Sequence, residues 1–247
     1  MLIHWLKEAA ELAGLATGLY LLAALLGHRV DRWREAFRRR RLRIFIASAA
    51  TVVLAQVVEE VLGRESDAID EAVLRAIHAA MPPALEGSFR AITDTASSGV
   101  LAAALGLVAV LLLAWRRWRE AAQLVLTGAI AGATIWLGKL ASGRERPALW
   151  DTDWYWGSSF PSGHTLAAAA IGTCACLLLR HAPFALRAAS VLAVTTWVAA
   201  VGLSRLVLGV HWPTDVIAAA CAGLLVAVAV HTALWRLRRG GQPADPA

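Results

Sequence analysis

Residues 204–230 read SRLVLGVHWPTDVIAAACAGLLVAVAV. From Val216 onward the run is apolar enough to form a membrane-crossing helix, which needs about 20 such residues. Immediately before and within its first turn stand Arg205, His211 and Asp215. Charge is costly inside a membrane protein and usually marks function. The stretch therefore sets two expectations: a helical membrane fold, and a site at the mouth of its last span.

The rest of the chain has the same character. Its 247 residues are 58% hydrophobic and its mean hydropathy is +0.58, more apolar than an average soluble domain. Apolar runs recur at about 9–27, 42–62, 98–115, 121–138, 164–180, 188–204 and 214–235. They predict an all-α, polytopic helical membrane protein with no separate soluble domain. Three regions follow: a hydrophobic helix and Arg-rich cytoplasmic loop over 1–41, a six-helix core over 42–236, and a polar tail over 237–247. The 9–27 run follows only Lys7 and Glu8 and precedes no clean cleavage site, so it reads as a retained helix rather than a signal peptide. Within 64–97, Ile69, Val73, Leu74, Ile77 and Met81 recur at helical spacing with Asp67, Asp70 and Glu71 opposite them. That pattern predicts a short amphipathic helix at the membrane interface, ended by Pro82-Pro83.

Net charge is +6, with 22 arginines and only 2 lysines. The arginines flank apolar segments, as orientation signals do, and do not point to nucleic acid. Eight of them lie in 28–43, which reads as a solvated cytoplasmic loop; contact with anionic headgroups is a further use of the same charges. With that loop in the cytoplasm, sixteen basic residues fall on the cytoplasmic side and eight on the other. Cys174, Cys176 and Cys221 lie in apolar runs and read as packing residues, with no disulfide or metal role. Trp150, Trp154, Tyr155 and Trp156 form an interfacial aromatic cluster that could also guide a lipid tail.

Three blocks carry chemistry: Lys139-x6-Arg146-Pro147, Pro161-Ser162-Gly163-His164, and Ser204-Arg205-x5-His211-x3-Asp215. The layout puts all three on the non-cytoplasmic side. Pro161 to His164 precedes an alanine-rich run and reads as a helix start with Ser162 as N-cap. A helix N-terminus offers backbone N–H groups and a positive dipole end to an oxyanion, and Gly163 allows close approach. An ordinary capped helix with a solvated His164 explains that block equally well taken alone. Asp215, four residues after His211, can reach back to one imidazole nitrogen and leave the other free to attack. Lys139, Arg146 and Arg205 supply three cations suited to phosphate oxygens. Snorkelling at the interface accounts for each cation separately but not for their placement beside two histidines. Three nearby cations also oppose a divalent ion, so no metal site is expected. His4, His28, His78, His181 and His231 lie near segment ends without such neighbours and read as interfacial.

All eleven fixed positions of the three blocks resemble the signature of the type 2 phosphatidic-acid phosphatase superfamily, in order and at the same spacing. The resemblance covers about 42–236 and implies a six-helix membrane phosphatase core. It implies that His211 is the nucleophile of a phosphohistidine intermediate and that Asp215 orients it. His164 would protonate the leaving oxygen and later activate water, while Lys139, Arg146, Ser162, Gly163 and Arg205 hold the phosphate, with no cofactor or metal. The residues alone leave open which histidine attacks, although the spacing of Asp215 favours His211. The expected activity is phosphate removal from a lipid monophosphate or diphosphate, with undecaprenyl diphosphate, phosphatidylglycerol phosphate and phosphatidic acid as candidates. The expected location is a bacterial inner membrane, with the site facing the periplasm. Three other readings remain: phosphotransfer to an acceptor lipid, a vanadate-dependent haloperoxidase-like oxidase, and a non-catalytic lipid-phosphate binder or transporter. Tail specificity and oligomeric state are not legible.

Overall fold

The computed structural model describes residues 2–28, 31–152 and 157–240, with side chains described over 11–25, 41–152 and 157–234. Its helices are α1 Leu2–His28, α2 Asp31–Gly63, α3 Asp67–Ala80, α4 Glu86–Asp94, α5 Ser98–Ala114, α6 Trp118–Ser142, α7 Gly163–Leu178, α8 Phe184–Val207 and α9 Pro213–Gly240. A 3₁₀ turn, Pro83–Leu85, leads into α4. Five segments are long and apolar enough to cross a membrane: 41–63, 83–114, 118–142, 184–207 and 213–234. Gly163–Leu178 is a shorter apolar helix, as is 11–25 within α1. The chain is thus a polytopic helical membrane protein: helices occupy the six expected core positions, five of them long enough to cross a membrane, and an additional N-terminal helix precedes them. That helix lies along α2, where the rings of Tyr20 and Phe45 meet edge-on at 5.7 Å.

Local sequence explains the helix ends that matter for the site. Gly143 takes a left-handed conformation, φ +54°, and stops α6 just after Lys139. Pro213 occupies the first position of α9, where its missing N–H costs nothing. Gly209, with φ +67°, turns the chain sharply two residues before His211. The segment read as a loop over 28–43 is a correction: from Asp31 it is helical and continuous with the span to Gly63. Arginine is a good helix former and 31–43 contains no glycine or proline, so nothing interrupts the helix that the span propagates. The tail expected from 237 is likewise helical to Gly240, and 241–247 lie outside the described residues.

Helix α7 forms the centre, packed against α6, α8 and α9. Between lipid-immersed helices there is no hydrophobic driving force, so close backbone approach by small residues does the packing. Ala131, Leu166, Ala170 and Ala219 form one such contact layer. A Cβ on Gly223 would lie 2.4 Å from the Leu166 carbonyl oxygen and 2.8 Å from the Ala169 Cβ. One on Gly172 would lie 2.6 Å from Val194, and one on Gly202 2.7 Å from Val216. These contacts fix the α7–α9, α7–α8 and α8–α9 spacings.

A buried polar cluster bridges α6, α7 and α9 well away from the three blocks. His231 Nδ1 donates to Gln123 Oε1 at 3.0 Å, and Gln123 Nε2 reaches Cys174 Sγ at 3.6 Å. His231 is therefore a buried residue, not an interfacial one. The side chains of His4 and His28 lie outside those described, whereas His181 is exposed.

Gly223→Ala should destabilise the detergent-solubilised protein by about 1–3 kcal/mol through overpacking. Gly132→Ala, where a Cβ meets nothing within 4 Å, should leave it unchanged. Melting temperatures of the two variants check this contrast.

Candidate active site

The three blocks are far apart in sequence but share one end of the bundle. Lys139 closes α6, His164 opens α7, Arg205 closes α8, and His211 and Asp215 flank the start of α9. Ser162 N donates to the Asp215 carbonyl at 3.2 Å, which ties the second block directly to the third. His164 lies within electrostatic reach of Arg205, His211, Arg146 and Lys139.

Asp215 is fully buried and sits in the first turn of α9. Its Oδ2 accepts the Trp212 backbone N–H at 2.9 Å, the reach-back of a capping carboxylate. The same oxygen lies 3.3 Å from His211 Nδ1. The other ring nitrogen, Nε2, faces Arg146 Nη1 at 3.4 Å. A guanidinium can only donate, so Nε2 is the acceptor and the proton resides on Nδ1, toward Asp215. Burial pushes the His211 imidazole down to about 4, against the pull of Asp215, with Arg205 and Arg146 adding to the push. The ring is thus neutral at ordinary pH and presents a lone pair to the cation cluster.

The cations are held by backbone carbonyls and hydroxyls. Lys139 Nζ donates to the Ser158 carbonyl. Arg146 donates to the carbonyls of Val210 at 2.7 Å and Gly157 at 3.2 Å. Arg205, fully buried, donates from Nη1 to Thr93 Oγ1 at 2.8 Å. Ser142 Oγ bonds Ser158 Oγ at 2.7 Å and the Phe160 carbonyl at 3.0 Å, which stiffens the loop carrying these acceptors.

Ser162 occupies the N-cap position of α7, but its hydroxyl does not cap a backbone N–H; it meets Thr165 Oγ1 at 3.1 Å. The first-turn amides of α7 are therefore not closed by that hydroxyl, which suits an oxyanion site. A Cβ on Gly163 would meet only Ile135 Cγ2, at an ordinary 3.5 Å. Protein packing therefore does not demand glycine there.

Several functional neighbours escape the sequence reading. Arg144, two residues before Arg146, donates from Nη1 to Asp215 Oδ1 and Thr214 Oγ1, both at 2.8 Å. From Nη2 it reaches Asp70 Oδ2 at 2.7 Å and Asp67 Oδ1 at 3.2 Å. Its guanidinium stacks over Trp212 at 5.6 Å. Burial works against its charge, yet Asp215 and Asp70 outweigh that and raise its pKa.

Asp70 itself is a correction. It is 1% exposed, while Ile69 and Val73 are 43% and 40% exposed, so α3 turns its carboxylate inward and part of its apolar set outward. The signal was present: Asp70 is one turn from Leu74, which is fully buried, and residues at i and i+4 share a face. Thr93 carried no signal, because nothing local marks a threonine as a partner for a distant arginine.

His78 and Trp150 stack at 3.9 Å. A Cβ on Gly209 would lie 2.5 Å from the Trp150 indole nitrogen. Trp150 thus packs over the turn before His211 rather than standing alone at an interface. Trp154, Tyr155 and Trp156 lie outside the described residues.

Residues 120–239 match the family model of the PAP2 superfamily, a segment that contains all three blocks. The resemblance drawn from the motifs therefore holds over that segment. No curated protein matches the chain. Among solved structures, the fold is similar to a transmembrane PAP2 type phosphatidylglycerolphosphate phosphatase from Bacillus subtilis, with a TM-score of 0.71 and 23% identity, covering 79% of this chain and 98% of that one. It is also similar to Aquifex aeolicus LpxE, with a TM-score of 0.53 and 24% identity, covering 65% of this chain and 93% of that one.

In ¹⁵N-histidine spectra of the ligand-free protein, His211 should keep a protonated Nδ1 and a bare Nε2 near pH 7 and become half charged only near pH 4. A ring that titrates near the usual 6.5 would contradict this electrostatic account.

Proposed function

We propose that this chain is an integral-membrane lipid phosphatase that acts through a phosphohistidine. The observation that carries the reading is the two-sided environment of His211. Asp215 engages one ring nitrogen at 3.3 Å, and the other points at Arg146 among the cations. A residue serving only to bind phosphate has no need of a neutral imidazole anchored by a buried carboxylate.

In this reading Lys139, Arg146, Arg205 and the amides at Ser162-Gly163 grip the phosphate oxygens. Arg146 exchanges its contact with Nε2 for one with the substrate. Nε2 attacks phosphorus as the bond to the lipid-side oxygen breaks, and His164, which takes up a proton once the bound phosphate's negative charge offsets the surrounding cations, delivers it to that leaving oxygen. Asp215 stabilises the imidazolium character of the intermediate. His164, now neutral, takes a proton from water, whose oxygen attacks phosphorus and breaks the P–Nε2 bond. Inorganic phosphate leaves and both histidines return to their starting states. The cations neutralise charge on the equatorial oxygens in both steps, where such a clamp has most effect. With three cations already there, the reaction needs no divalent ion.

The substrate headgroup is a lipid monophosphate or diphosphate whose tail stays in the bilayer beside α3 and the helix ends. The Bacillus subtilis neighbour, a phosphatidylglycerolphosphate phosphatase, supports a lipid phosphate of that kind; undecaprenyl diphosphate and phosphatidic acid are the other candidates. Arg116, Arg117, Arg119, Arg180, Arg187, Arg236, Arg238 and Arg239 favour a cytoplasmic location for the opposite end of the bundle. The site would then face the periplasm of a bacterial inner membrane.

Purified protein in detergent with excess chelator should release phosphate from at least one of these lipids. His211→Ala should abolish turnover and trapping of labelled phosphohistidine. Asp215→Asn should lower the rate by roughly 10²–10⁴, as for other triad carboxylates. Full turnover by His211→Ala would overturn the assignment.

A further inference from the structure

Two buried carboxylates share one arginine behind the proposed nucleophile. Arg144 is 10% exposed, Asp70 1% and Asp215 0%. Asp215 divides its oxygens: Oδ1 receives Arg144 Nη1, and Oδ2 receives the Trp212 amide and faces His211. Asp70 divides its own: Oδ1 accepts the Thr214 backbone N–H at 3.0 Å, and Oδ2 accepts both the Thr214 hydroxyl and Arg144 Nη2. The result is a linear array, His211–Asp215–Arg144–Asp70, running from the site to α3.

The order of charges has a consequence. An arginine 2.8 Å from Asp215 fixes the carboxylate but also cancels much of its field. A cancelled Asp215 would give little stabilisation to an imidazolium on its other side. Asp70 faces the far side of the same guanidinium at 2.7 Å and removes that difficulty. Two anions and one cation leave a net negative charge behind the ring. Arg146 meets the opposite ring nitrogen, and Arg205 and His164 lie within electrostatic reach of the same ring. Asp67, with a side chain 57% exposed, touches Arg144 at 3.2 Å but is screened by solvent and adds little.

We propose that Asp70 and Arg144 are positioning residues for the phosphohistidine step: Arg144 fixes the Asp215 carboxylate, and Asp70 is the counter-charge that keeps Arg144 from silencing it. This rests on the phosphatase reading above. It makes α3, a helix outside all three motifs, part of the machinery.

The two partners act with opposite sign, which separates this role from simple bracing of α3 against α9. Asp70→Asn keeps an acceptor for the Thr214 amide, removes the charge, and replaces the oxygen that faces Arg144 Nη2 with an NH2 that cannot accept. It should leave His211 neutral to lower pH than in the wild type and lower kcat by about 10- to 100-fold, the scale for groups that orient a functional side chain from behind. Its KM should stay within about two-fold, because phosphate binding is not touched. Arg144→Gln should do the reverse to the ring and raise its titration from about 4 toward the ordinary range. Asp70→Asn/Arg144→Gln together should return the titration toward the wild-type value. The readouts are ¹⁵N-histidine titration, kcat and KM on one lipid phosphate, and melting temperature, all in detergent.

A His211 titration that does not move in Asp70→Asn, or that moves the same way in both single variants, would overturn the proposal, whatever happens to the melting temperature. Where Arg144→Gln does not fold, Arg144→Lys replaces it: its retained charge should hold the His211 titration near the wild-type value, and a shift as large as that of Asp70→Asn would count against the proposal. Wild-type protein without activity on the whole lipid panel would instead remove the phosphatase reading, and this proposal with it.

Discussion

The Asp215 carboxylate is the constraint on which the rest of the structure depends. It is fully buried, and a buried anion persists only with partners that repay its desolvation. Those partners come from three directions: the Trp212 amide and His211 ring from its own turn, and Arg144 from the loop after α6. Arg144 in turn requires Asp70, and Asp70 holds the first turn of α9 through Thr214. Remove the carboxylate and the imidazole loses its tautomer, the guanidinium loses a counter-ion, and α3 loses part of its reason to lie where it does.

The bundle is built to make that burial possible. Close α7–α9 and α8–α9 contacts through Gly223 and Gly202 bring the start of α7, the end of α8 and the start of α9 together. The connection between α6 and α7, in its described parts 143–152 and 157–162, lies against these ends. Its carbonyls receive Lys139 and Arg146, its Arg144 side chain reaches inward, and its Ser162 amide bonds back to α9. The cations are thus pre-aimed by backbone acceptors, so little reorganisation is needed when charge develops between them.

The chemistry that follows is a division of labour among like residues. Both histidines sit near the same cations, but only His211 has a carboxylate behind it and a bare nitrogen in front. In the proposed mechanism that asymmetry assigns attack to His211 and proton transfer to His164. On the same proposal an acid on the far helix α3 matters, because Arg205 and Arg146 push the His211 ring toward neutrality while Asp215, joined through Arg144 to Asp70, pulls the other way.

The sequence by itself determined the class of fold, the positions of the six core helices, and the identity of the ionisable residues at one end of the bundle. Span-length apolar runs and charges at their ends leave few alternatives once the bilayer is the solvent. It also determined the His211–Asp215 pair, because a spacing of four at a helix start is a local relation. Only the tertiary structure decided what depends on contacts between distant segments: Asp70 turned inward on a helix whose periodicity seemed to turn it outward, Arg144 joined to two acids, Thr93 on Arg205, and His231 buried on Gln123. A side chain's periodicity shows which residues share a face, but which face is buried depends on what packs against it, and that is set by helices brought close through small residues elsewhere in the chain.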